Sequence, residues 1–112
     1  MIYCFDVDGV LCTNTWGDYE RAEPVARVIA QVNRLHQEGH EILLYTARGA
    51  TSGIDWRAVT ERQLSAWGVR YHKLFLGKPT ADVYIDDRAY NLADWVESGF
   101  TLPEGAVRRD HA

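Results

Sequence analysis

Four aspartates, one threonine and one lysine follow the apolar runs of this 112-residue chain, at or just beyond the points where strands are predicted to end. They are Asp6, Asp8, Thr46, Lys78, Asp86 and Asp87. Carboxylates that cluster repel one another and lose hydration, so four of them in one place would require a cation. Carboxylate oxygens completed by water molecules suit Mg²⁺. The pattern therefore predicts a magnesium site built from the four aspartates.

The threonine and the lysine would add groups that hold an anion beside this metal. Lysine carries a compact positive charge and threonine carries a hydroxyl donor, and both suit the oxygens of a phosphoryl group. A carboxylate in such a site can attack phosphorus and form an aspartyl-phosphate. A second carboxylate two residues along can give a proton to the leaving oxygen and later take one from water. The residue types thus favour phosphoryl chemistry.

Strands and helices are predicted to alternate along the chain, and they would position these side chains. Short apolar runs predict buried strands over 2–7, 41–47, 71–76 and 82–87. Apolar spacing and stop residues predict helices over 24–39, 55–68 and 89–97, the last with Ala89, Leu92, Ala93 and Val96 facing inward. This alternation predicts an α/β fold, a doubly wound (Rossmann-like) parallel sheet covered on both sides. In such a sheet the ligand site lies at the carboxyl ends of the strands.

Composition and charge argue against several classes of protein. Apolar residues make up 46% of the chain and charged residues 25%, which is ordinary for one globular domain, here residues 1–112. The net charge of −4 argues against a protein that binds nucleic acid through bulk positive charge. No apolar run is long enough to span a bilayer and no targeting segment is visible, so we expect a cytoplasmic protein with no membrane partner. Cys4 and Cys12 are expected to be reduced thiols.

Four short stretches resemble the sequence motifs of the haloacid dehalogenase (HAD) superfamily, in the family's order. They are Asp6-Val7-Asp8-Gly9-Val10, Thr46 after an apolar strand, Lys78, and Ile85-Asp86-Asp87. The resemblance covers residues 2–92 and implies a HAD-like sheet. It also implies a Mg²⁺-dependent phosphatase that hydrolyses phosphate monoesters through an aspartyl-phosphate, because an aspartate at position 8 is similar to the phosphatase and phosphomutase pattern.

The resemblance implies a role for each matching residue. Asp6 would be the nucleophile and a metal ligand, and Asp8 would be the general acid and base with its main-chain carbonyl on the metal. Thr46 would hydrogen-bond the phosphoryl group, and Lys78 would stabilise the charge of the nucleophile and of the phosphate. In the pair at 86–87, the first aspartate would ligate Mg²⁺ directly, and the second would ligate it or support it through water.

The loop that follows the second predicted strand is expected to bind substrate. The predicted substrate-binding residues are Thr46, Ala47, Arg48 and Lys78. Arg48 lies two residues beyond Thr46, so we expect it near the mouth of the site. There it would bind a second anionic group of the substrate or pair with a surface carboxylate.

The chain leaves no room for the cap domain that HAD enzymes usually carry, so the resemblance implies a capless member. Residues 11–23 leave room only for a flap, and residues 100–112 are expected to form a short edge strand or a polar tail. On the flap, Trp16 and Tyr19 are expected either to stack on a ring of the substrate or to pack the flap onto the body. An open cleft predicts a large substrate or a neighbouring copy that closes the site, and hence a possible homo-oligomer.

Two stretches narrow the expected substrate. TARG at 46–49 and GKPTADVYIDDRA at 77–89 resemble small bacterial phosphatases of capsule and surface-polysaccharide biosynthesis. This resemblance implies that the partner is a phosphorylated small molecule, a sugar or polyol phosphate.

Other functions fit parts of the same pattern. Within the superfamily, a phosphoprotein phosphatase or a phosphotransferase would also use an open cleft. From a different class, a non-catalytic, receiver-like phospho-binding module also has paired acids, a threonine, a lysine and a phosphorylated aspartate. The order of the motifs argues against a receiver, which has its acid pair near the start, whereas here the pair at 86–87 comes last.

Overall fold

The structure, a computed structural model of the chain, describes residues 1–103. These residues belong to two compact units, residues 1–80 and a second unit that begins at Ala81. The edge strand considered for residues 100–112 falls largely on positions from 104 onward, outside the described residues. The assignment of residues 1–112 to a single domain stays a prediction.

The first unit is built on a parallel three-stranded sheet in the order β1-β2-β3. Its strands are β1 (Ile2–Asp6), β2 (Glu41–Thr46) and β3 (Lys73–Leu76). Asp6 pairs with Tyr45 between β1 and β2, and Thr46 pairs with Leu76 between β2 and β3. All three strands therefore end at one edge of the sheet, close to the polar residues that follow them. The protein is a small α/β protein, and the first three predicted strands are confirmed.

Burial alternates along β2, the central strand. Ile42, Leu44 and Thr46 are buried, while the side chains between them are half-buried. Successive side chains of a strand point to opposite faces, so one face of β2 lies on the core. Thr46 is thereby fixed at the end of the buried row.

Helix α1 (Ala26–Gln37) connects β1 to β2 and matches the predicted helix. Its buried residues, Val28, Ile29, Val32 and Leu35, are spaced at three and four residues and form one apolar face. The helix packs on β2 and stops before Gly39, which adopts a φ of +95°.

Helix α2 (Arg57–Ala66) connects β2 to β3. It begins two residues after Asp55, whose Oδ1 accepts a hydrogen bond from the Arg57 N–H at 3.0 Å, close to the predicted start of the helix at residue 55. Its buried residues are Leu64 and the polar Thr60. Trp56 and Trp67 are half-buried at its two ends.

In the second unit, the strand predicted over residues 82–87 is absent, and this prediction is wrong. Val83 is 71% exposed and Ile85 is 95% exposed. The Ala81 N–H donates to the Tyr84 hydroxyl, and the Arg88 N–H donates to Asp86 Oδ1. These local bonds between backbone and side chains offer the segment an alternative to a strand ladder, and an apolar run cannot by itself supply a strand partner.

Helix α3 (Leu92–Glu97) is shorter than the predicted helix over 89–97. Asn91 caps it, because its side chain accepts a hydrogen bond from the Ala93 N–H at 2.9 Å. The helix therefore begins after Asn91, and Ala89 lies outside it. Its buried residue is Trp95, which meets the Phe100 ring edge to face at 5.0 Å.

The predicted inward face of this helix is thus wrong in part. Leu92 and Val96 are half-buried, whereas Ala89 and Ala93 are exposed. The large ring of Trp95 provides more apolar surface than an alanine, and it occupies the inward position instead. Among the helices of residues 1–103, none combines the length and the apolar character needed to cross a membrane.

Candidate active site

Asp6, the last residue of β1, is held by the main chain and by a lysine. Its Oδ1 accepts a hydrogen bond from the Val7 N–H at 2.8 Å, and its Oδ2 lies 2.5 Å from Lys78 Nζ. The Lys78 N–H donates to the Thr46 carbonyl at 3.2 Å, so the end of β2 holds the loop that carries this lysine. The structure therefore brings three of the predicted site residues together at the ends of the strands.

Asp8 follows two residues later, at the start of a tight turn. Gly9 adopts a φ of +82°, a conformation that side chains rarely allow, and the Leu11 N–H donates back to the Val7 carbonyl at 2.9 Å. The turn leaves the Asp8 side chain 17% exposed. Asp6 and Asp8 are thus both held on a strand end and its turn, where a carboxylate is fixed but still reached by solvent.

The Arg48 guanidinium binds both carboxylate oxygens of Asp8. Nε donates to Asp8 Oδ2 at 3.0 Å, and Nη2 donates to Asp8 Oδ1 at 2.9 Å. Nη1 donates to Thr60 Oγ1 at 3.0 Å and to Gln63 Oε1 at 2.6 Å. Such two-pronged pairs are among the strongest and most directional that a carboxylate makes.

The position of Arg48 differs from the expected one at the mouth of the site. The residue is only 3% exposed, and its partner is the candidate acid Asp8 rather than a surface carboxylate. The reason lies in the turn after β2, where the Ala50 N–H donates to the Ala47 carbonyl at 3.0 Å and Gly49 adopts a φ of +83°. A substrate contact by Arg48 stays a prediction, and the observed contacts favour a role in holding Asp8.

Thr46 and Ala47 occupy the buried side of the same turn. The Thr46 side chain is fully buried, and its Oγ1 accepts a hydrogen bond from the Arg48 N–H at 3.2 Å. Ala47 is half-buried beside it. The Thr46 hydroxyl keeps its own proton as a donor, so its predicted contact with a phosphoryl group is compatible with its bond to Arg48.

A cavity of about 180 Å³ opens beside this turn, well below the usual size for drug-like ligands. It is lined by Arg48, Gly49, Ala50, Ile54, Asp55, Leu76 and Gly77. At Gly49 a Cβ atom would come within 2.1 Å of the Ile54 carbonyl oxygen, so only glycine allows this loop to close on itself. The loop thus shapes a small recess that is also lined by Gly77, the residue before Lys78.

The flap, residues 11–23, is anchored at its base and on one aromatic side chain. Leu11 and Cys12 are buried, and Tyr19 lies in a 3₁₀ helix (Tyr19–Arg21). The Tyr19 ring covers the Arg48 guanidinium at 4.6 Å and meets the Trp56 ring edge to face at 4.9 Å. Tyr19 therefore packs the flap onto the body, whereas Trp16 is 88% exposed.

Cys12 is a buried thiol in contact with the Asp8 side chain. Its Sγ lies 3.5 Å from Asp8 Oδ1, and both cysteines of the chain are free thiols. Burial raises the pKa of the Cys12 thiol from 9.0 to about 12, and the nearby Asp8 carboxylate adds to the shift. The thiol therefore stays protonated at neutral pH.

We expect iodoacetamide to alkylate Cys4, which is exposed, and to spare Cys12 in the folded protein. Peptide mass spectrometry after timed labelling at pH 8 measures both rates, and the same reaction in denaturant provides the control in which both cysteines react. Because the folded pKa of Cys12 lies above its ordinary value, the thiol's contribution to stability should be lost as the pH rises from 9.0 to about 12. Equal rates for the two cysteines in the native protein would contradict this prediction.

Asp86 and Asp87 lie in the second unit, in the irregular segment that replaces the predicted strand. Asp86 accepts a hydrogen bond from the Arg88 N–H at 2.8 Å, and Asp87 lies 3.8 Å from Arg88 Nε. Across residues 1–103, the structure groups no three histidine, cysteine or acidic side chains in a way that could hold a metal ion. Their predicted roles as metal ligands stay predictions.

The sequence did not single out the partners of Arg48 on α2. Thr60 and Gln63 are three residues apart and so share a helix face with the buried Leu64. Two polar residues on an otherwise buried face are a signal that a buried polar partner is present. Their partner, however, cannot be identified from spacing, since Arg48 precedes the helix.

Comparison with known proteins finds relatives by structure. No family model matches the chain, and no curated protein matches it. Two chains from structures of the Pnkp1/Rnl/Hen1 complex, one described as an RNA repair complex, share its fold, each with 22% identity and a TM-score of 0.55. They match 77% and 74% of this chain but only 30% and 27% of their own lengths.

A nearer match is the crystal structure of an MCSG target protein from Vibrio cholerae. The two proteins are 30% identical, with a TM-score of 0.76, and the match covers 84% of this chain and 85% of the Vibrio chain. The similarity thus extends over nearly the full length of both proteins. The chain belongs to the same family as this Vibrio cholerae protein.

Proposed function

We propose that the protein is a Mg²⁺-dependent phosphate monoester hydrolase of the HAD superfamily that acts through an aspartyl-phosphate on Asp6. The observation that carries the proposal is the Asp6 carboxylate at the end of β1, with Lys78 Nζ at 2.5 Å and Asp8 two residues away. A carboxylate so placed is partly exposed and has a fixed orientation, as a nucleophile requires. The complete fold in this proposal is the doubly wound sheet of that superfamily without a cap domain.

In this proposal each of these groups takes part in a stated step. An oxygen of Asp6 attacks phosphorus and the bond to the leaving oxygen breaks, while Asp8 gives that oxygen a proton. Water then attacks the phosphorus of the aspartyl-phosphate, Asp8 takes its proton, and Asp6 is released. Lys78, which already bonds Asp6, stabilises the negative charge that gathers on the phosphoryl oxygens.

Arg48 would set the orientation of the Asp8 carboxylate when it takes a proton from water. Its guanidinium binds both oxygens of Asp8, so the carboxylate has one preferred orientation. Proton transfer requires the base within hydrogen-bond distance of the attacking water, so a carboxylate held in one orientation is more effective than a freely rotating one. In this proposal Arg48 acts on Asp8 as a positioning residue.

The donor groups of the first unit fit Mg²⁺ in their chemistry. The Asp6 carboxylate and the Asp8 main-chain carbonyl are hard oxygen donors, and Mg²⁺ in proteins is commonly held by one or two carboxylates with water and substrate phosphate. Asp86 and Asp87 would add further carboxylate oxygens. When bound, the ion supplies positive charge to the phosphoryl oxygens.

The proposed substrate is a phosphorylated small molecule, a sugar or polyol phosphate. The recess of about 180 Å³ beside Arg48 and Gly77 is small for a ligand site and would suit a compact leaving group. Its lining includes Asp55, which can accept hydrogen bonds from sugar hydroxyls, and the apolar Ile54 and Leu76, which can cover a carbon skeleton.

Removal of the metal should abolish turnover. We expect phosphate release from a panel of sugar, polyol and nucleotide phosphates to stop when EDTA is added and to return with excess Mg²⁺, because the ion would neutralise charge that Lys78 alone cannot. Release of inorganic phosphate is the measurement, and buffer with EDTA already saturated by Mg²⁺ is the control. Full activity in a metal-free preparation would contradict the proposal.

A further inference from the structure

We propose that Gln63 is a positioning residue. It connects the flap to Arg48 through hydrogen bonds and so keeps the Arg48 guanidinium bound to Asp8. This inference rests on the proposed function. Gln63 lies on α2. Its side-chain amide binds the Arg48 guanidinium through one atom and the Tyr19 carbonyl of the flap through the other.

The two hydrogen bonds of Gln63 are short and use opposite ends of its amide. Oε1 accepts from Arg48 Nη1 at 2.6 Å, and Nε2 donates to the Tyr19 carbonyl oxygen at 2.6 Å. An amide is the side chain that can accept at one atom and donate at its neighbour without carrying charge. Because the residue lies within α2, the helix fixes where both bonds can form.

Each nitrogen of the Arg48 guanidinium has a partner. Its bonds to Asp8 engage Nε and one Nη2 proton, and Nη1 donates to Thr60 and Gln63. Nη2 also lies 3.8 Å from Cys12 Sγ. These contacts account for all five N–H groups of a guanidinium, so the loss of the Gln63 bond would leave a buried donor without its partner.

The flap also has contacts that do not involve Gln63. At its base, the Thr13 N–H donates to the Glu23 carbonyl at 2.8 Å within the flap, and Cys12 Sγ lies near Asp8 and Arg48. The Tyr19 ring meets the Trp56 ring at the start of α2. Toward its tip, Glu20 lies 3.8 Å from Arg62 of α2, but both side chains are mostly exposed and such pairs add little. Toward its tip, the flap is therefore joined to the site through Tyr19, whose carbonyl accepts from Gln63 and whose ring lies on Arg48.

Two substitutions separate the two bonds of the amide. Gln63→Glu keeps an acceptor for Arg48 but loses the donor to the Tyr19 carbonyl. Gln63→Met loses both bonds at similar side-chain length. Gln37→Met, on the exposed end of α1, is the matched control. All variants are made in the full chain.

Three measurements report on the connection, and two of them need no enzymatic activity. Amide hydrogen exchange over residues 15–22 measures how often the flap opens. Solvent exchange of the Arg48 Nε–H in NMR spectra measures how often its hydrogen bond to Asp8 breaks. The third is kcat and KM for the best phosphate ester. We expect Gln63→Met to raise both exchange rates and to lower kcat by about threefold to tenfold, the usual effect of one hydrogen bond, with KM unchanged.

The remaining variants show which hydrogen bond of Gln63 affects the flap and which affects Arg48. Gln63→Glu should speed flap exchange as much as Gln63→Met does while the Arg48 Nε–H stays slow, and Gln37→Met should match the wild-type protein in all three measurements. Normal flap exchange in both Gln63 variants, or normal Arg48 exchange and kcat in Gln63→Met, would overturn the inference. A wild-type protein without phosphatase activity would refute the proposed function, and the two exchange rates would then decide on Gln63 alone.

Discussion

Replacement of Asp6 by asparagine is expected to abolish phosphate release while the protein stays folded. The amide keeps the shape of the side chain but cannot attack phosphorus, so kcat should fall by about a thousandfold or more. Asp6 is partly exposed, so the change adds no large burial cost. Phosphate release under saturating substrate and Mg²⁺ measures the effect, and circular dichroism confirms the fold.

Asp94→Asn is the matched control, since it makes the same chemical change at an exposed position of α3. It should leave kcat and KM unchanged. An Asp6→Asn protein that retains a tenth of the wild-type rate would contradict the role of Asp6 as nucleophile. A loss of circular dichroism signal in Asp6→Asn but not in Asp94→Asn would show instead that the Lys78 ion pair is needed for folding.

Replacement of Arg48 by methionine is expected to cost about 3 kcal/mol of folding free energy and most of the activity. The Arg48 side chain is fully buried, and its removal leaves the largely buried Asp8 carboxylate without its two-pronged partner. It also removes the donors to Thr60 and Gln63. Denaturant unfolding measures the stability, and phosphate release measures kcat.

A double variant tests the physical reason for this loss. In Arg48→Met combined with Asp8→Asn, the unpaired charge is gone, so part of the lost stability should return while the activity stays low. Arg48→Lys keeps a positive charge but not the fork, so its stability should lie between those of the wild-type protein and Arg48→Met. Equal unfolding free energies for Arg48→Met and the wild-type protein would contradict the contacts on which the account of Asp8 rests.

The ends of the strands were predictable because they depend on local pattern and on a general rule. Short apolar runs over β1 and β2 end at Asp6 and Thr46, and parallel strands bring such ends to one edge. The ion pair between Asp6 and Lys78 joins positions 72 residues apart, yet it follows from that rule once the strands are known.

Arg48 shows what local pattern leaves open. Its distance from Thr46 in the chain indicated a position near the mouth, but a turn at 47–50 sends the side chain inward. Its partners Asp8, Thr60 and Gln63 lie 40, 12 and 15 residues away in the sequence. Such contacts depend on how α2 packs, and packing is set by tertiary structure rather than by spacing.

The prediction of a strand over 82–87 failed for a different reason. Its sequence, DVYIDD, has the β-branched and aromatic residues of a strand, but a strand also needs a neighbour for its hydrogen bonds. The described structure gives the backbone at Ala81 and Arg88 side-chain partners nearby, and it leaves Val83 and Ile85 largely exposed. Composition alone cannot decide whether such a segment pairs as a strand or stays irregular.

The configuration at phosphorus tests the central claim, attack by Asp6, most directly. A phosphate ester made chiral at phosphorus with sulfur and oxygen isotopes would be hydrolysed in isotopically labelled water, and the configuration of the released thiophosphate would be determined. Transfer to Asp6 and then to water requires two in-line displacements, each of which inverts the centre. The account predicts net retention of configuration, whereas inversion would show a single direct attack by water and would contradict it.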